Sequence, residues 1–374
     1  MKGSESNFET RIDAMLGKFE ALAQRQIGYP CSQGFDYSEL LPFLRFSANN
    51  VGDPFHDSNF RSNTHDIERE VIARFAGLMR LGAEDGWGYV TSGGTEGNMY
   101  GLYLGRELFP NGVVYFSQDT HYSVVKILHV LNARNIMIKS LASGEIDYDD
   151  FYETIRIHRD VPVILVANVG STMKGAVDDL DKVRGILDDL AITNSYIHAD
   201  AALSGMILPF VEAPQPFGFD AGIDSVAISG HKLIGSPLPC GVVLTRKSYV
   251  AHVARAVEYV NVLDTTLTGS RNAVTPLILW HAFERHGLEG FRRMVAGMLE
   301  MAEYAVERFN QRGIPAWRHR NSLTVVFPRP SKEVLQKWQI ASYEDIAHII
   351  TMAHVTREMV DEVVDDCVSH DTGL

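Results

Sequence analysis

Short apolar runs that end in small polar residues recur through the middle of the chain and alternate with segments of helical periodicity. The clearest runs are the sequences WGYVT, VVYFS, VPVILVAN, SYIHAD and DSVAIS. A short apolar run bounded by turn residues is typical of a buried strand, and strands that alternate with helices form a mostly parallel sheet covered on both faces. The pattern therefore predicts an α/β fold in which polar residues gather at the carboxyl ends of the strands.

The segments on either side of this body have other patterns. Residues 1–26 show an amphipathic helical pattern, whereas residues 27–63 are rich in aromatic residues, glycine, proline and asparagine without clear periodicity. Further along, the sequence CGVVLTRK predicts another strand, and the polar segment 253–272 is predicted to be a mobile loop. An irregular segment as long as 27–63 is either functional or a linker, and its aromatic content argues against a linker.

The last part of the chain mixes helices and strands. Two helices are predicted after residue 273, strands within 314–328, and a final helix over 343–367. We therefore expect a small C-terminal α+β domain over residues 286–374. It follows a large domain over residues 64–285, and residues 1–63 form an N-terminal arm.

Composition and charge limit the partners and the compartment. The chain has 374 residues, is 45% hydrophobic and carries a formal net charge of −13, which argues against nucleic acid or an anionic membrane surface as a partner. No run approaches the roughly 18 apolar residues of a membrane span, and the charged N-terminus lacks the apolar core of a signal peptide. Three widely separated cysteines fit a reducing compartment such as the cytoplasm, and scattered histidines predict no metal site.

The stretch DSVAISGHKLIGSPLPCG contains the most informative lysine. Lys232 follows a predicted strand directly, beside His231 and among small residues. Ligands of open α/β sheets bind at the carboxyl ends of the strands, and a desolvated lysine amine is a nucleophile that can carry a Schiff base. A single lysine in a loop is more commonly a solvated surface residue. The interpretation of Lys232 therefore depends on the other strand ends.

Two further strand ends carry groups suited to a cofactor. The sequence SGGTEGN, with Gly93, Gly94 and Thr95, opens a predicted helix, where free N–H groups can bind an anion, although a plain tight turn is an equal alternative. Asp200 ends the strand SYIHAD and suits either a capping role or pairing with a protonated pyridine nitrogen. Ala202 is small enough to lie flat against a ring.

Four more residues complete the constellation. His121 is predicted in the first turn of a helix, where the helix dipole favours a neutral imidazole that can stack on a ring or contact a substrate carboxylate. Ser171, Thr172 and Ser229 are small hydroxyl residues at other strand ends. An anion site, a ring-nitrogen partner and an amine nucleophile together specify pyridoxal 5′-phosphate (PLP).

The chain also resembles the group II PLP-dependent amino-acid decarboxylases, in particular the bacterial histidine decarboxylases. The resemblance is carried by IGYP, FDYSEL, WGYVTSGGTEGN, DTHYSV, SGEIDYDD, HADAALSGMILPF, SGHKLIGSPLPCG, TGSRN and WRHRNSLTVVFP. It implies the type I fold of PLP-dependent transferases, which is aspartate aminotransferase-like, and a homodimer with active sites at the subunit interface.

The resemblance also implies roles for individual residues. Lys232 would hold the cofactor covalently, Asp200 would pair with its ring nitrogen, and His121 and Ala202 would cover the two faces of the ring. The phosphate ligands implied by the resemblance are Gly93, Gly94, Thr95, Ser229 and His231. Ser171 or Thr172 would lie near the polar rim, and Tyr259 would donate a proton to the substrate carbon.

The substrate is less closely specified. The sequence NNVGDPFHDSNF is more similar to that of plant serine decarboxylases, and Cys31 replaces the residue expected in either group. Tyr29, Cys31 and His56 lie in this irregular segment and are expected to line the substrate pocket. We expect decarboxylation of a free amino acid, L-histidine to histamine first and L-serine to ethanolamine as the alternative. A noncatalytic PLP-fold protein or a nucleotide-binding α/β domain is the third hypothesis.

Overall fold

A seven-stranded sheet forms the centre of the protein, which is seen here as a computed structural model that describes residues 2–257 and 262–370. The strand order is β1-β7-β6-β5-β4-β2-β3. The five strands from β6 to β3 in this order run parallel, whereas β7 lies antiparallel between β1 and β6. The strands of this sheet are β1 (Gly86–Thr91), β2 (Val113–Ser117), β3 (Asn135–Ile138), β4 (Val163–Asn168), β5 (Ser195–Asp200), β6 (Ser225–Ser229) and β7 (Gly241–Arg246).

Both faces of the sheet are buried, which explains the continuous apolar runs of the sequence. Along β4, Val163 and Leu165 face one hydrophobic cluster, whereas Ile164 and Val166 face another on the opposite side. The helices of this domain are α2 (His65–Leu78), α3 (Gly94–Leu108), α4 (Ser123–Val130), α5 (Tyr148–Ile157), α6 (Leu180–Asp189) and α7 (Lys247–Val250). The predicted α/β fold with a mostly parallel sheet is confirmed.

The segment before the sheet is a helix followed by irregular chain. Helix α1 (Lys2–Ala23) agrees with the predicted N-terminal helix, and residues after it include one 3-10 helix, Ser38–Arg45. Ile27 then joins the small domain, because its amide donates to the Trp338 carbonyl oxygen and its carbonyl oxygen accepts from Ile350. The irregular segment is thus packed on the domain that is farthest from it in sequence.

The segment predicted as a mobile loop, 253–272, contains two short paired strands, β8 (Arg255–Val257) and β9 (Val262–Asp264). Its end is fixed by buried polar groups, since the Thr265 hydroxyl donates to Asp53 over 2.8 Å and Arg271 forms a buried ion pair with Glu68. The prediction of a loop is therefore wrong for these two strands. Short strands with polar residues give no clear alternation in sequence.

Helix α8 (Val274–Gln311) has a break at Gly287, which has φ 58°, so the two helices predicted here are present on either side of this glycine. Beyond it, β10 (Thr324–Pro328), α9 (Lys332–Lys337), β11 (Ala341–Tyr343), β12 (Ile346–Ile350) and α10 (Arg357–His370) follow in order. The three strands form an antiparallel sheet in the order β10-β12-β11.

The predicted helix over 343–367 is wrong in its first half, where Ile346–Ile350 forms the central strand of this small sheet. The sequence IAHII is a short apolar run, which periodicity alone cannot assign to a helix or a strand. Within residues 2–257 and 262–370, no helix combines the length and the apolar character that a membrane span requires.

Candidate active site

A cavity of about 330 Å³ opens at the carboxyl edge of the large sheet. Strands β4, β5 and β6 end at this edge in Asn168, Asp200 and Ser229. The structure brings most of the predicted site residues to this one cavity. They are Tyr29, Gly94, Thr95, His121, Ser171, Thr172, Asp200, Ala202, Ser229, His231 and Lys232.

The start of helix α3 forms one wall of the cavity and has the form of an anion cradle. Gly93 precedes the helix with φ 148°, a conformation that favours glycine, and the first N–H groups of any helix lack a carbonyl partner one turn earlier. A Cβ added to Gly94 would lie only 2.8 Å from the Ser229 hydroxyl oxygen. Because residue 94 has no side chain, the first amides of the helix and the Ser229 hydroxyl lie close together, an arrangement that suits a phosphate group.

His231 lies beside this cradle, and a Cβ added to Gly93 would be 3.7 Å from its Cε1 atom. Its Nδ1 atom is 2.9 Å from the Cys240 carbonyl oxygen, so the Nδ1 proton is donated there. Burial lowers the pKa of His231. A hydrogen bond from Nε2 to a phosphate therefore requires that the ring take up a second proton from the solvent or from the anion.

The backbone of Lys232, the residue after His231, is held by two hydrogen bonds. Its carbonyl oxygen accepts hydrogen bonds from the amides of Ser32 and Gly235, each over 3.1 Å. Burial lowers the pKa of the Lys232 amine, while the nearby Asp200 and Cys31 side chains oppose this shift. The fraction of neutral amine is raised in consequence, which is what a lysine nucleophile requires.

Both oxygens of the Asp200 carboxylate accept hydrogen bonds from neighbouring groups of the protein. Oδ1 accepts from the Ala202 amide over 3.2 Å, and Oδ2 accepts from the Asn98 side-chain amide over 2.7 Å. The side chain is 8% exposed. An oriented, buried carboxylate that lines a cavity is suited to pair with a cationic ring nitrogen.

His121 lies before helix α4 and not in its first turn, because the helix begins only at Ser123. Its Nδ1 atom is 2.7 Å from the Ser123 hydroxyl, which holds the ring at the cavity wall. Burial lowers the pKa of His121, and the Asp200 carboxylate opposes that shift. The expected neutral imidazole is thus favoured by desolvation, and the helix dipole is not required.

The remaining predicted residues have different positions. Tyr29 is 48% exposed and lines the cavity, whereas Cys31 lies near Lys232 and lines a neighbouring, mainly apolar cavity. His56 is not brought to either cavity, because its segment is held beside the buried Asp53, with 3.4 Å between Nδ1 and Oδ1. Tyr259 lies outside the described residues.

Sequence reasoning missed several residues of the site. Asn98 bonds to Asp200 and belongs to the SGGTEGN motif, but only its glycines and threonine were chosen. Ala341 and His348 also line the cavity, and His348 lies on strand β12, within the stretch where a helix was predicted. Asn98 could have been found from its position, because it lies one turn after Gly94 on the predicted helix. That position places it on the same face as the amides at the start of the helix.

Comparison with known proteins identifies the family. The model of the pyridoxal-dependent decarboxylase conserved domain matches residues 61–314, more than half of the chain. The chain belongs to the pyridoxal-dependent decarboxylase family. Its cofactor is pyridoxal 5′-phosphate, and it is a PLP-dependent carboxy-lyase.

Relatives of this decarboxylase match it over nearly the whole length. The histidine decarboxylase of Morganella morganii is 46% identical over 366 residues, which cover 97% of each chain. The histidine decarboxylase of Klebsiella aerogenes is 47% identical and covers 96% of each chain. The resemblance to group II decarboxylases, and to the bacterial histidine enzymes in particular, is confirmed.

Solved structures confirm the type I fold of PLP enzymes. L-Methionine decarboxylase from Streptomyces sp. 590 superposes with a TM-score of 0.90 at 25% identity, over 97% of this chain and 95% of the other. The sphingosine-1-phosphate lyase of Burkholderia pseudomallei shares the fold at a TM-score of 0.80 and 17% identity, over 98% of this chain and 91% of that one.

The residues of the cavity fit the cofactor. The space beside Gly94 and Ser229, which a Cβ at residue 94 would fill, accommodates an anionic group, and Asp200 offers a carboxylate to a ring nitrogen. Lys232 lines the same cavity and supplies an amine whose pKa is lowered by burial.

Proposed function

We propose that this decarboxylase converts L-histidine to histamine and CO₂. The observation that carries the proposal is the near-complete match with the histidine decarboxylase of Morganella morganii, at 46% identity over 97% of both chains. A match of this extent includes the N-terminal segment and the small domain, and both contribute residues to the cavity. L-Serine remains the alternative substrate to be tested.

The proposed roles of the residues follow from their contacts. The Gly94–Thr95 amides and Ser229 bind the phosphate, with His231 beside them, and Asp200 holds a proton on the ring nitrogen. When bound, PLP supplies a ring that accepts the electron pair left when the carboxylate of the substrate departs as CO₂.

Other residues enclose the substrate. The neutral amine of Lys232 is the nucleophile that binds and releases the cofactor. His121 and Ala202 line the cavity and are assigned to the two faces of the ring, and Ser171 and Thr172, which line it too, are assigned to its polar rim. Tyr29 and Cys31 are assigned to the substrate side. His56 as a substrate contact and Tyr259 as proton donor to the substrate carbon stay predictions.

We also propose that the enzyme is a homodimer of the cytoplasm. Helix α1 exposes a regular series of large apolar side chains, a pattern that marks an interaction surface. The exposed residues are Phe8, Ile12, Met15, Leu16, Phe19 and Leu22. A mass by light scattering of about twice 41.6 kDa is expected, and a monomer at micromolar concentration would contradict the dimer. The free thiols of Cys31 and Cys240 support a reducing compartment.

The substrate test is CO₂ release from the PLP-loaded enzyme with separate L-amino acids. Histidine is expected to give the highest kcat/KM. Serine, methionine and glutamate lack the imidazole ring and would leave polar groups of the pocket without a partner, so their kcat/KM values should be lower by at least about 100-fold. Faster release from serine would replace the proposed substrate and leave the PLP-dependent decarboxylase assignment intact.

A further inference from the structure

A continuous series of buried hydrogen bonds leads from the Asp200 carboxylate into the core. The Asn98 amide nitrogen donates to Asp200 over 2.7 Å, and the Asn98 oxygen is 2.9 Å from Nε2 of His198. Nδ1 of His198 is 2.7 Å from the Ser225 hydroxyl, which in turn is 2.8 Å from the Tyr196 hydroxyl. Except for Asp200 at 8%, every member is at most 2% exposed.

The partners of His198 decide between two possible orders of protons in this series. Burial lowers the pKa of His198 to about 4, so the ring is neutral near pH 7 and has one N–H. If the Tyr196 hydroxyl donates to Ser225, the Ser225 hydroxyl is free to donate to Nδ1. The proton of His198 is then on Nε2, the Asn98 oxygen accepts it, and the NH₂ group of Asn98 faces Asp200.

The opposite order of protons has a different consequence for Asp200. With the His198 proton on Nδ1, Nε2 would accept from Asn98, and the Asn98 oxygen would face Asp200. An amide oxygen 2.7 Å from a carboxylate oxygen is tolerated only if Asp200 is protonated. The order that uses the Ser225 proton is therefore the one that matches an ionised Asp200.

Helix α3 has a glycine where the imidazole ring of His198 packs against it. A Cβ added to Gly101 would lie 2.1 Å from Nδ1 of His198, so only glycine at this position leaves room for the imidazole. Gly101 lies one turn after Asn98 on the same helix. A glycine inside a helix is less stable than an alanine, so the helix is weaker at the position where it makes room for the imidazole.

We propose that Asn98 and His198 are positioning residues that hold the Asp200 carboxylate in place opposite the ring nitrogen of PLP. Two N–H donors to a buried carboxylate favour its charged form, which is the form that pairs with a protonated ring nitrogen. The inference rests on the proposed role of Asp200 and is independent of the amino-acid substrate.

The decisive experiment compares two cofactors with the apoenzyme. One is PLP, and the other is its 1-deaza analogue, in which a carbon replaces the ring nitrogen. Asn98→Asp is nearly isosteric, but it places a second carboxylate oxygen about where the amide nitrogen lies, 2.7 Å from Asp200. Two carboxylates this close share a proton, which weakens the pairing with a cationic ring nitrogen.

Asn98→Asp and Asn98→Ala are expected to lower PLP affinity by about tenfold or more, while affinity for the 1-deaza analogue changes by less than about twofold. Affinity is read from the visible absorbance of the bound cofactor. Equal losses for both cofactors would overturn the proposal, because a merely structural role does not distinguish them. Asp200→Asn is the reference, and if it also fails to distinguish the cofactors, the role of Asp200 itself is wrong.

His198 is tested by a matched pair of substitutions. The side-chain NH₂ of His198→Gln can still donate to the Asn98 oxygen, whereas His198→Leu has no donor of any kind. We expect the Gln variant to keep the wild-type preference for PLP over the 1-deaza analogue and the Leu variant to lose it. The ¹⁵N chemical shift of labelled PLP reports the ring proton directly. Identical shifts in the two variants would reduce His198 to a packing role.

Discussion

The two ends of the cavity are built differently. The cofactor end consists of the ends of β4, β5 and β6 and the start of α3, which all belong to one rigid sheet and its covering helix. The substrate end is assembled from the N-terminal segment at residues 28–30 and from the small domain at Ala341 and His348. The proposed cofactor residues thus lie on one sheet and its covering helix, whereas the proposed substrate pocket needs two distant parts of the chain.

At the substrate end, the N-terminal segment packs closely against the backbone of the small domain. A Cβ added to Gly28 would lie 2.3 Å from the Gln339 carbonyl oxygen and 2.4 Å from the Ile340 Cα atom. His348, on β12, has its Nδ1 atom 3.0 Å from the Met173 carbonyl oxygen and so joins the small domain to the loop after β4. Substrate choice can therefore change through packing between domains, while the cofactor end stays the same.

Replacing the lysine at the cofactor end should have the largest effect. Lys232→Ala removes the amine nucleophile and should lower kcat by at least about 10³-fold, because no other described side chain in the cavity has a lysine amine. The visible absorbance of the bound cofactor should disappear as well. A Lys232→Ala enzyme with full activity and unchanged absorbance would contradict the assignment of Lys232 to the cofactor. The comparison of a cofactor end with a substrate end depends on that assignment.

Filling the anion cradle should affect the cofactor more than the substrate. In Gly94→Ala the new methyl group would lie 2.8 Å from the Ser229 hydroxyl and occupy phosphate space, so PLP affinity should fall by about tenfold or more. Gly77→Ala, on helix α2, is the matched control, since nothing lies within 4 Å of its added Cβ. The control should bind PLP normally, and a similar loss in both variants would argue against the cradle.

Sequence patterns predicted the large domain well because both faces of its sheet are buried. The apolar runs that end at Thr91, Ser117, Asn168, Asp200 and Ser229 are all strands of that sheet. Strand β12 was misassigned as a helix, since it is a five-residue apolar run whose partners lie elsewhere in the chain. Local periodicity has no information on such partners.

The sequence predicted those site residues whose type points to one chemical role, such as a lysine nucleophile or a glycine-rich anion site. Lys232, Asp200 and the glycines of SGGTEGN each stand at a strand end, and the structure places them around one cavity. The Asn98–His198 bond joins residues 100 positions apart, so no local pattern reveals it. One signal was available, because side chains two residues apart on a strand share a face, and His198 is two residues before Asp200.

Disturbing the substrate end should leave the cofactor in place. Gly28→Ala forces the N-terminal segment away from the Gln339 carbonyl oxygen, so KM for the amino acid should rise by about tenfold while PLP affinity stays unchanged. Gly34→Ala, in the same segment, is the control, because its Cβ would meet Ala353 at an ordinary 3.6 Å. A loss of PLP binding in Gly28→Ala would show that the two ends are not separable.

The last expected effect is on the acid stability of the fold, which depends on the buried His198 near the cofactor end. The folded pKa of His198 is about 4, below its unfolded value near 6.5, so the unfolded chain binds more protons between these pH values. The stability that His198 contributes is complete above pH 6.5 and is lost as pH falls toward 4, by up to about 3 kcal/mol. His198→Gln has no such group, so the urea midpoint of its apoenzyme should fall less between pH 7 and pH 5 than that of the wild type.

Buried His348 of the substrate end also has a lowered pKa, and His348→Gln should likewise reduce the loss of stability in acid. Equal acid losses in the wild type and in His198→Gln would mean that the imidazole is solvated or already charged in the folded state, and the direction of protons toward Asp200 would then need another origin.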